Sequence, residues 1–418
     1  GGQRVAGHAL QSTYQVAREA EQYVRRTRKP AFLHFECVRL YGHAGADTPS
    51  AYLSRKEIEA AEANDPLLFT AARLREEGIL SRQQILDIYL ETDARISRMA
   101  EEIVKRPGLA SVREVQASLI PQRAVPPAPR VVDAQQRDEL FGRDVKEMKK
   151  PQHMARLLSW AMADLMLEYG QIILAGEDIG PKGGVYNVTA RLHDRFGADR
   201  VINTPLDEQT ILGLAIGLAH NGFLPIAEIQ FLAYLHNAED QVRGEAATLS
   251  FFSNSQYSNP MIIRIAGLGY QKGFGGHFHN DNSFAVLRDI PGVIIACPSN
   301  GEDAVRMLRE CARLALEEQR VIVFLEPIAL YMTRDLHEPG DGLWTSIYSA
   351  PETRLPSGKV GVHGKGKQLA ILTYGNGCYL SRQAAKTLNE KHRVDIRIID
   401  IRWLAPLPEQ AILEALQG

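Results

Sequence analysis

Apolar residues recur at two spacings along this chain, and the spacing changes with position. Residues 9–29 carry apolar or small side chains at Leu10, Tyr14, Ala17, Ala20 and Val24, near helical spacing. Pro30 closes that helix, and 31–38 (AFLHFECV) predicts a strand. A polar, loop-like segment, RLYGHAGADTPSAY, comes next, followed by three more helical stretches. The clearest starts at Ser81, where Ser81 and Gln84 fit a capping box, and runs to about Arg106 ahead of Pro107-Gly108. Around 121–135 proline is frequent and periodicity is lost, which predicts a linker over 121–150.

From 151 the pattern becomes an alternation. Helices are predicted at 154–169, 189–196, 208–220, 237–250 and 301–317. Between them lie apolar, strand-like runs at 171–175, 200–203, 223–231, 261–266, 293–297 and 321–325. Apolar strands alternating with helices specify an α/β fold, a parallel sheet with helices on both faces. A Gly- and Pro-rich stretch at 335–366 reads as a second linker. A new βαβ pattern starts at Gln368 with QLAILTYG, a helix through 381–388, DIRIIDI and a final helix.

Composition narrows the function classes. Of the 418 residues 45% are hydrophobic and 23% charged, with a net charge of -2, the profile of a soluble globular protein. That balance argues against nucleic acid or a membrane surface as the main partner. No apolar run approaches the roughly 18 residues of a membrane span. Cys37, Cys297, Cys311 and Cys378 are far apart and show no CxxC spacing, as expected of reduced thiols in a cytoplasmic protein. The chain starts GGQRVAGHAL without Met and stops within a helical pattern, so both ends read as truncations.

Several segments could carry chemistry. In VINTPLDEQTILGLAIGLAHNGFLPIAEIQFLAY the acidic pair Asp207-Glu208 opens a helix between two apolar runs. A carboxylate there is costly unless paired, protonated or used. Residues 267–282, GLGYQKGFGGHFHNDN, hold glycines 267, 269, 273, 275 and 276 ahead of His277, His279 and Asp281. Such a loop could hold a proton-transfer histidine at a strand end, chelate a metal through His-x-His, or be a solvated surface loop. The metal reading lacks further ligands. His43, in RLYGHAGAD, poses the same choice between a catalytic or phosphate-contacting histidine and a surface loop. Glu177-Asp178 follows a predicted strand, where α/β sites form, although a capping role serves equally. Gly340-Asp341-Gly342 looks like the start of a metal-diphosphate motif, but RDLHEP before it is loop sequence, not a strand, so it reads as a decoy.

Taken together these segments resemble the thiamine-diphosphate-dependent decarboxylating first component of 2-oxo acid dehydrogenase complexes. GEDIGPKGGVYNVTARLHDRFGADRVINTPLDEQ, IAEIQFLAYL, IPGVIIACPSN and FLEPIALY are similar to its beta subunit. PAFLHFECVRLYGHAGAD and a later NDPL are similar to the end of its alpha subunit. The resemblance implies a fused chain: an alpha-type part over 1–120, the linker 121–150, a transketolase-like pyrimidine-binding domain over 151–334, the linker 335–366, and the start of a transketolase C-terminal-like domain over 367–418.

In that family a glutamate hydrogen-bonds N1′ of the cofactor's aminopyrimidine and so promotes loss of the thiazolium C2 proton. Glu208 holds that position in PLDEQ. A dry pocket would favour the shared proton by raising the carboxyl's pKa, and a helix N-terminus would oppose this. Gln230 and Tyr234 match residues bordering the aminopyrimidine, and Glu177 an acidic residue near the cofactor. His279 and His43 match the two loop histidines that serve proton transfer or charge stabilisation. The implied activity is oxidative decarboxylation of a pyruvate- or branched-chain-type 2-oxo acid, with acyl transfer to the lipoyl group of an acyltransferase partner, in a homo-oligomer.

The chain also departs from the family. The beta-type loop continues His279-Asn280-Asp281-Asn282 in place of His-Ser-Gln, Ala44 stands where some relatives carry a phosphorylated Ser, and Val-Asp-Gly is Val5-Ala6-Gly7. The alpha-type diphosphate motif is not on this stretch, so thiamine diphosphate and Mg²⁺ are expected to find their diphosphate-side ligands elsewhere, and no metal ligand is assigned here. A transketolase-like or deoxyxylulose-phosphate-synthase-like carbon–carbon bond enzyme, or a non-catalytic assembly homologue, are the alternatives.

Overall fold

The computed structural model describes residues 2–7, 9–126, 128–269 and 275–417. Gly273, one of the loop glycines, lies outside the described residues. The chain divides into two compact units, residues 1–108 and 109–418.

In the first unit β1 (Gly2–Ala6) pairs in parallel with β2 (Phe32–Glu36), and α1 (Leu10–Thr27) is the crossover between them. That helix ends where Arg28 turns left-handed and its N–H bonds Val24 O at 2.8 Å. Helices α2 (Arg55–Glu62), α3 (Pro66–Glu76) and α4 (Arg82–Ile103) follow. The capping box expected at α4 is formed: Gln84 N donates to Ser81 Oγ at 3.2 Å and Ser81 N to Gln84 Oε1 at 2.8 Å.

The second unit opens with α5 (Val112–Ala117), α6 (Ala134–Phe141) and α7 (Asp144–Glu147). The alternation follows: α8 (Met154–Glu168), β3 (Ile172–Glu177), α9 (Leu192–Phe196), β4 (Val201–Thr204), α10 (Glu208–His220) and β5 (Leu224–Ile229). Then come α11 (Leu232–Leu235), α12 (Leu249–Phe252), β6 (Met261–Gly267), α13 (Ala285–Arg288), β7 (Ile294–Ala296), α14 (Gly301–Glu318) and β8 (Val321–Pro327). The remainder holds β9 (Gly361–His363), β10 (Leu369–Thr373), α15 (Asn376–His392), β11 (Ile396–Asp400), β12 (Trp403–Ala405) and α16 (Glu409–Gln417).

Seven strands form one sheet in the order β12-β7-β8-β6-β5-β3-β4, parallel except for β12. Successive residues of each strand face opposite sides. Ile226, Ile262 and Ile322 join the core under α8 and α14, whereas Ala227, Ile263 and Val323 join the core under α10. This is why the strands read as continuous apolar runs: both faces are covered. A second sheet, β10-β11-β9, has β10 and β11 parallel and β9 antiparallel.

The helix expected over 237–250 does not form as one piece. The chain takes a 3₁₀ turn at His236–Ala238, a π turn at Gln241–Ala246 and then the short α12. Gly244 lies inside the π turn, where its weak helix propensity lets the ladder widen.

Candidate functional site

The site is built at the carboxyl ends of β3 and β5, where parallel sheets place ligands. Asp207 caps α10: its Oδ1 accepts from Thr210 N at 2.8 Å. Glu208 is thereby set in the first helical turn, beside the exposed backbone N–H groups that favour negative charge. It is buried, with 6% exposure, and Asn237 Nδ2 donates to its Oε2 at 2.8 Å. Its Oε1 has no hydrogen-bond partner among the described residues.

Glu177 closes β3 and is half-buried. Burial raises its pKa above the ordinary carboxylate range, and the charges of Asp178 and Glu208 add to the rise. The charge of Glu208 is therefore felt at Glu177. Asp178 takes a positive φ of 60°, pairs with Lys182 and accepts from Gln230 Nε2 at 3.2 Å. The hydrogen bond from Lys182, and then that from Gln230, hold the Asp178 carboxyl below its usual range against burial. Gln230, one residue past β5, is thus tied to the end of β3. A cavity of about 400 Å³ lies here, bordered by Asp178, Lys182, Tyr186, Gln230 and Phe231.

The segment after β5 carries the aromatic side of the site. The Phe231 ring meets Tyr234 edge-on at 5.7 Å and His279 at 4.5 Å, and Tyr234 and His279 are 6.1 Å apart. His279 Nδ1 lies 3.0 Å from Gly275 O. One turn further, His236 Nε2 lies 2.8 Å from Ser283 Oγ and 3.5 Å from Asp281 Oδ2. The departure at Asp281 thus supplies a carboxylate for His236, and the pair fastens the histidine loop to the segment after β5.

Beneath the site lies a buried charge network. Arg264 on β6 donates from Nη1 to Glu228 on β5 at 2.6 Å, and from Nε and Nη2 to Glu326 on β8 at 2.6 and 2.8 Å. Tyr331 Oη also donates to Glu326. Burial pushes the Glu228 carboxyl up, partly opposed by Arg264. Burial alone would lower the Arg264 pKa, but Glu326 and Glu228 reverse it.

The structure thus brings Glu208 and Glu177 together, and Tyr234 with His279, while Gln230 borders the adjoining cavity. His43 lies in the first unit, where its N–H donates to Asp47 Oδ2 at 2.6 Å. Asp341 of the Gly-Asp-Gly decoy accepts from the N–H groups of Leu336, His337, Glu338 and Leu343, the work of a loop anchor. Sequence reasoning missed Asn237, whose partner is distant in sequence. It also missed the network, which was signalled by one charge inside each of three apolar strands.

Residues 150–333 match the family described as transketolase, pyrimidine binding domain; 2–110 match dehydrogenase E1 component; and 358–418 match transketolase, C-terminal domain. The 2-oxoisovalerate dehydrogenase subunit beta of Bacillus subtilis is 33% identical over 259 residues, 62% of this chain and 74% of that protein. The 3-methyl-2-oxobutanoate dehydrogenase subunit beta of Mycobacterium tuberculosis is 31% identical over 67% of this chain and 76% of its own length. The pyruvate dehydrogenase E1 component subunit beta of B. subtilis is 32% identical over 59% and 70%.

Proposed function

The chain belongs to the thiamine-diphosphate-dependent first components of 2-oxo acid dehydrogenases, with alpha-type and beta-type regions fused, and from that premise we propose how its residues serve the reaction. The activity is oxidative decarboxylation of a 2-oxo acid, and the acyl acceptor is proposed to be a lipoyl group on an acyltransferase partner. Mg²⁺, as the cofactor's diphosphate counter-ion, and a homo-oligomeric assembly are part of the proposal.

The residues fit the aminopyrimidine end of thiamine diphosphate. A buried carboxylate with one oxygen occupied and one free, an amide at Gln230 and the ring faces of Phe231 and Tyr234 make a suitable donor set. When bound, the cofactor supplies the electron sink that makes loss of CO₂ possible. Glu208 would hold a proton between its free Oε1 and the ring nitrogen. Asn237 fixes the other oxygen, so the carboxylate's direction is set before any ligand arrives. Glu177, its pKa raised by burial and by the charges of Asp178 and Glu208, would stand beside Glu208 as a second carboxyl facing the ring. Gln230 and Tyr234 would orient the ring. His279, on the aromatic pair, would donate to developing negative charge on the substrate side, and His43 is proposed as the alpha-type counterpart.

The observation that carries this reading is the buried Glu208 carboxylate on the helix N-terminus, held from one side by Asn237. The test is Glu208→Gln in the full-length protein with thiamine diphosphate and Mg²⁺, following 2-oxo acid-dependent reduction of an artificial acceptor. Turnover should fall by at least 100-fold with the fold intact; a normal rate would sink the assignment. Relatives named for 2-oxoisovalerate and for pyruvate are matched at similar identity. A lipoyl-domain assay against both acid classes therefore decides the acyl specificity.

A further inference from the structure

The second sheet holds a cluster that the proposed chemistry does not use. His363 on β9 lies opposite Ile398 on β11, and Asp400 is two residues beyond Ile398, so both side chains emerge on one face of the sheet. Cys378 stands in the first turn of α15, which packs on β10 and β11. One ligand-type atom from each of the three lies within 4.8 Å of the others.

Two further observations point to a ligand. Asp400 is wholly buried; its Oδ1 accepts from Ser299 Oγ at 2.8 Å, the Cys378 thiol is placed to donate to the carboxyl, and Oδ2 has no other hydrogen-bond partner among the described residues. The nearest cation, Arg402, stands 4.0 Å away and is committed to Asp303 at 2.9 and 2.7 Å. His363 Nε2 is enclosed and has no hydrogen-bond partner among the described residues. An enclosed ring nitrogen without a partner and a buried carboxyl met only by a hydroxyl and a weakly donating thiol are costly unless something joins them.

We propose that His363, Cys378 and Asp400 bind a zinc-type divalent cation. A mixed nitrogen, sulfur and oxygen set suits Zn²⁺ or Co²⁺ and is wrong for Mg²⁺, which takes oxygen ligands. Ligand atoms of a tetrahedral site lie about 3.5 Å apart, so contraction by about 1 Å closes the set. His363 also borders a polar cavity of about 270 Å³ with Asn300, Trp344, Arg382 and Arg402, where solvent would fill the fourth position. Arg382 and Arg402 oppose a dication there. Arg402 is neutralised by Asp303, Arg382 rests over the Trp344 ring at 5.2 Å, and ligation would add the thiolate's charge to that of Asp400.

The test is Co²⁺ titration of the untagged full chain after chelator treatment, with Mg²⁺ in excess. One equivalent should bind, giving a thiolate-to-cobalt charge-transfer band and the visible spectrum of a tetrahedral ion. The band should vanish in Cys378→Ser and persist in Cys311→Ser, and His363→Gln should weaken binding at least tenfold. Failure of the folded wild-type chain to bind Co²⁺ at micromolar concentration overturns the proposal. So does a band that survives Cys378→Ser or, where that variant does not fold, an unchanged affinity in His363→Gln.

Discussion

Replacing Arg264 by Met tests whether the charge network supports the sheet under the site. The substitution keeps an unbranched apolar stem, removes the guanidinium and deletes three charge-assisted hydrogen bonds of 2.6, 2.6 and 2.8 Å. It leaves the Glu228 and Glu326 carboxylates at 7% and 0% exposure with no cation between them. Breaking a buried pair by removing one partner costs about 3–5 kcal/mol. At about 2–4 °C per kcal/mol for a domain of this size, the unfolding midpoint should fall by roughly 10 °C. The three tryptophans, Trp160, Trp344 and Trp403, all lie in the second unit, so their fluorescence reports its unfolding alone.

The pH dependence supplies the sign. Burial already holds the Glu228 carboxyl above its ordinary value of 4.5, and loss of Arg264 removes what opposes that. A folded-state pKa raised above the unfolded one means the folded chain binds more protons between the two values, so stability falls as pH rises through that window. Below the unfolded value both states are protonated and the charge term vanishes. The deficit of Arg264→Met should therefore be larger at pH 8 than near pH 5. The triple variant Glu228→Gln, Arg264→Met, Glu326→Gln should recover most of the loss, since no charge is left stranded. A midpoint within 2 °C of wild type at pH 8, or a deficit growing toward pH 5, would refute the reasoning.

Asn237→Ala removes a hydrogen bond to a buried carboxylate, worth about 1.5–3 kcal/mol, and should slow 2-oxo acid turnover by roughly 10- to 100-fold in steady-state assays without lowering the unfolding midpoint by more than a few degrees. Asp164→Asn weakens a buried junction that takes both Arg137 bonds, at 2.8 and 2.9 Å, and the Tyr348 hydroxyl at 2.5 Å; chemical unfolding should show a loss of about 2–4 kcal/mol. Gly176→Ala would set a Cβ 2.9 Å from Glu228 Cβ and 3.1 Å from its carbonyl oxygen, forcing β3 off β5, with an expected cost of about 1–3 kcal/mol by the same measurement. Of the four free thiols only Cys37 is exposed, while burial raises Cys297, Cys311 and Cys378; a disulfide reagent should modify one thiol quickly in the native chain and four after denaturation.

The sequence announced elements wherever local spacing was enough, and it was silent where partners are distant. Helix α10 runs over 208–220 as the pattern predicts, because Asp207 caps it and the strand that follows, β5, is buried on both faces. The single charges in LPIAEI, MIIRIAG and VIVFLEP were visible too, but their meaning depends on register. Glu228 pairs directly across from Arg264, and Glu326 lies two residues past Phe324, the residue opposite Arg264. A slip of one residue in either pairing would turn an acid to the opposite face and strand a charge in the core. The same dependence hides Asn237 as a partner of Glu208: it rests on a turn that the 3.6-residue pattern read as continuous helix. The helix-opening glutamate was thus legible as a costly carboxylate, while the side chain that makes it tolerable was not. The network also gives β5, β6 and β8 a reason to keep one register, and the residues that follow β5, from Gln230 to Asn237, carry much of the proposed site.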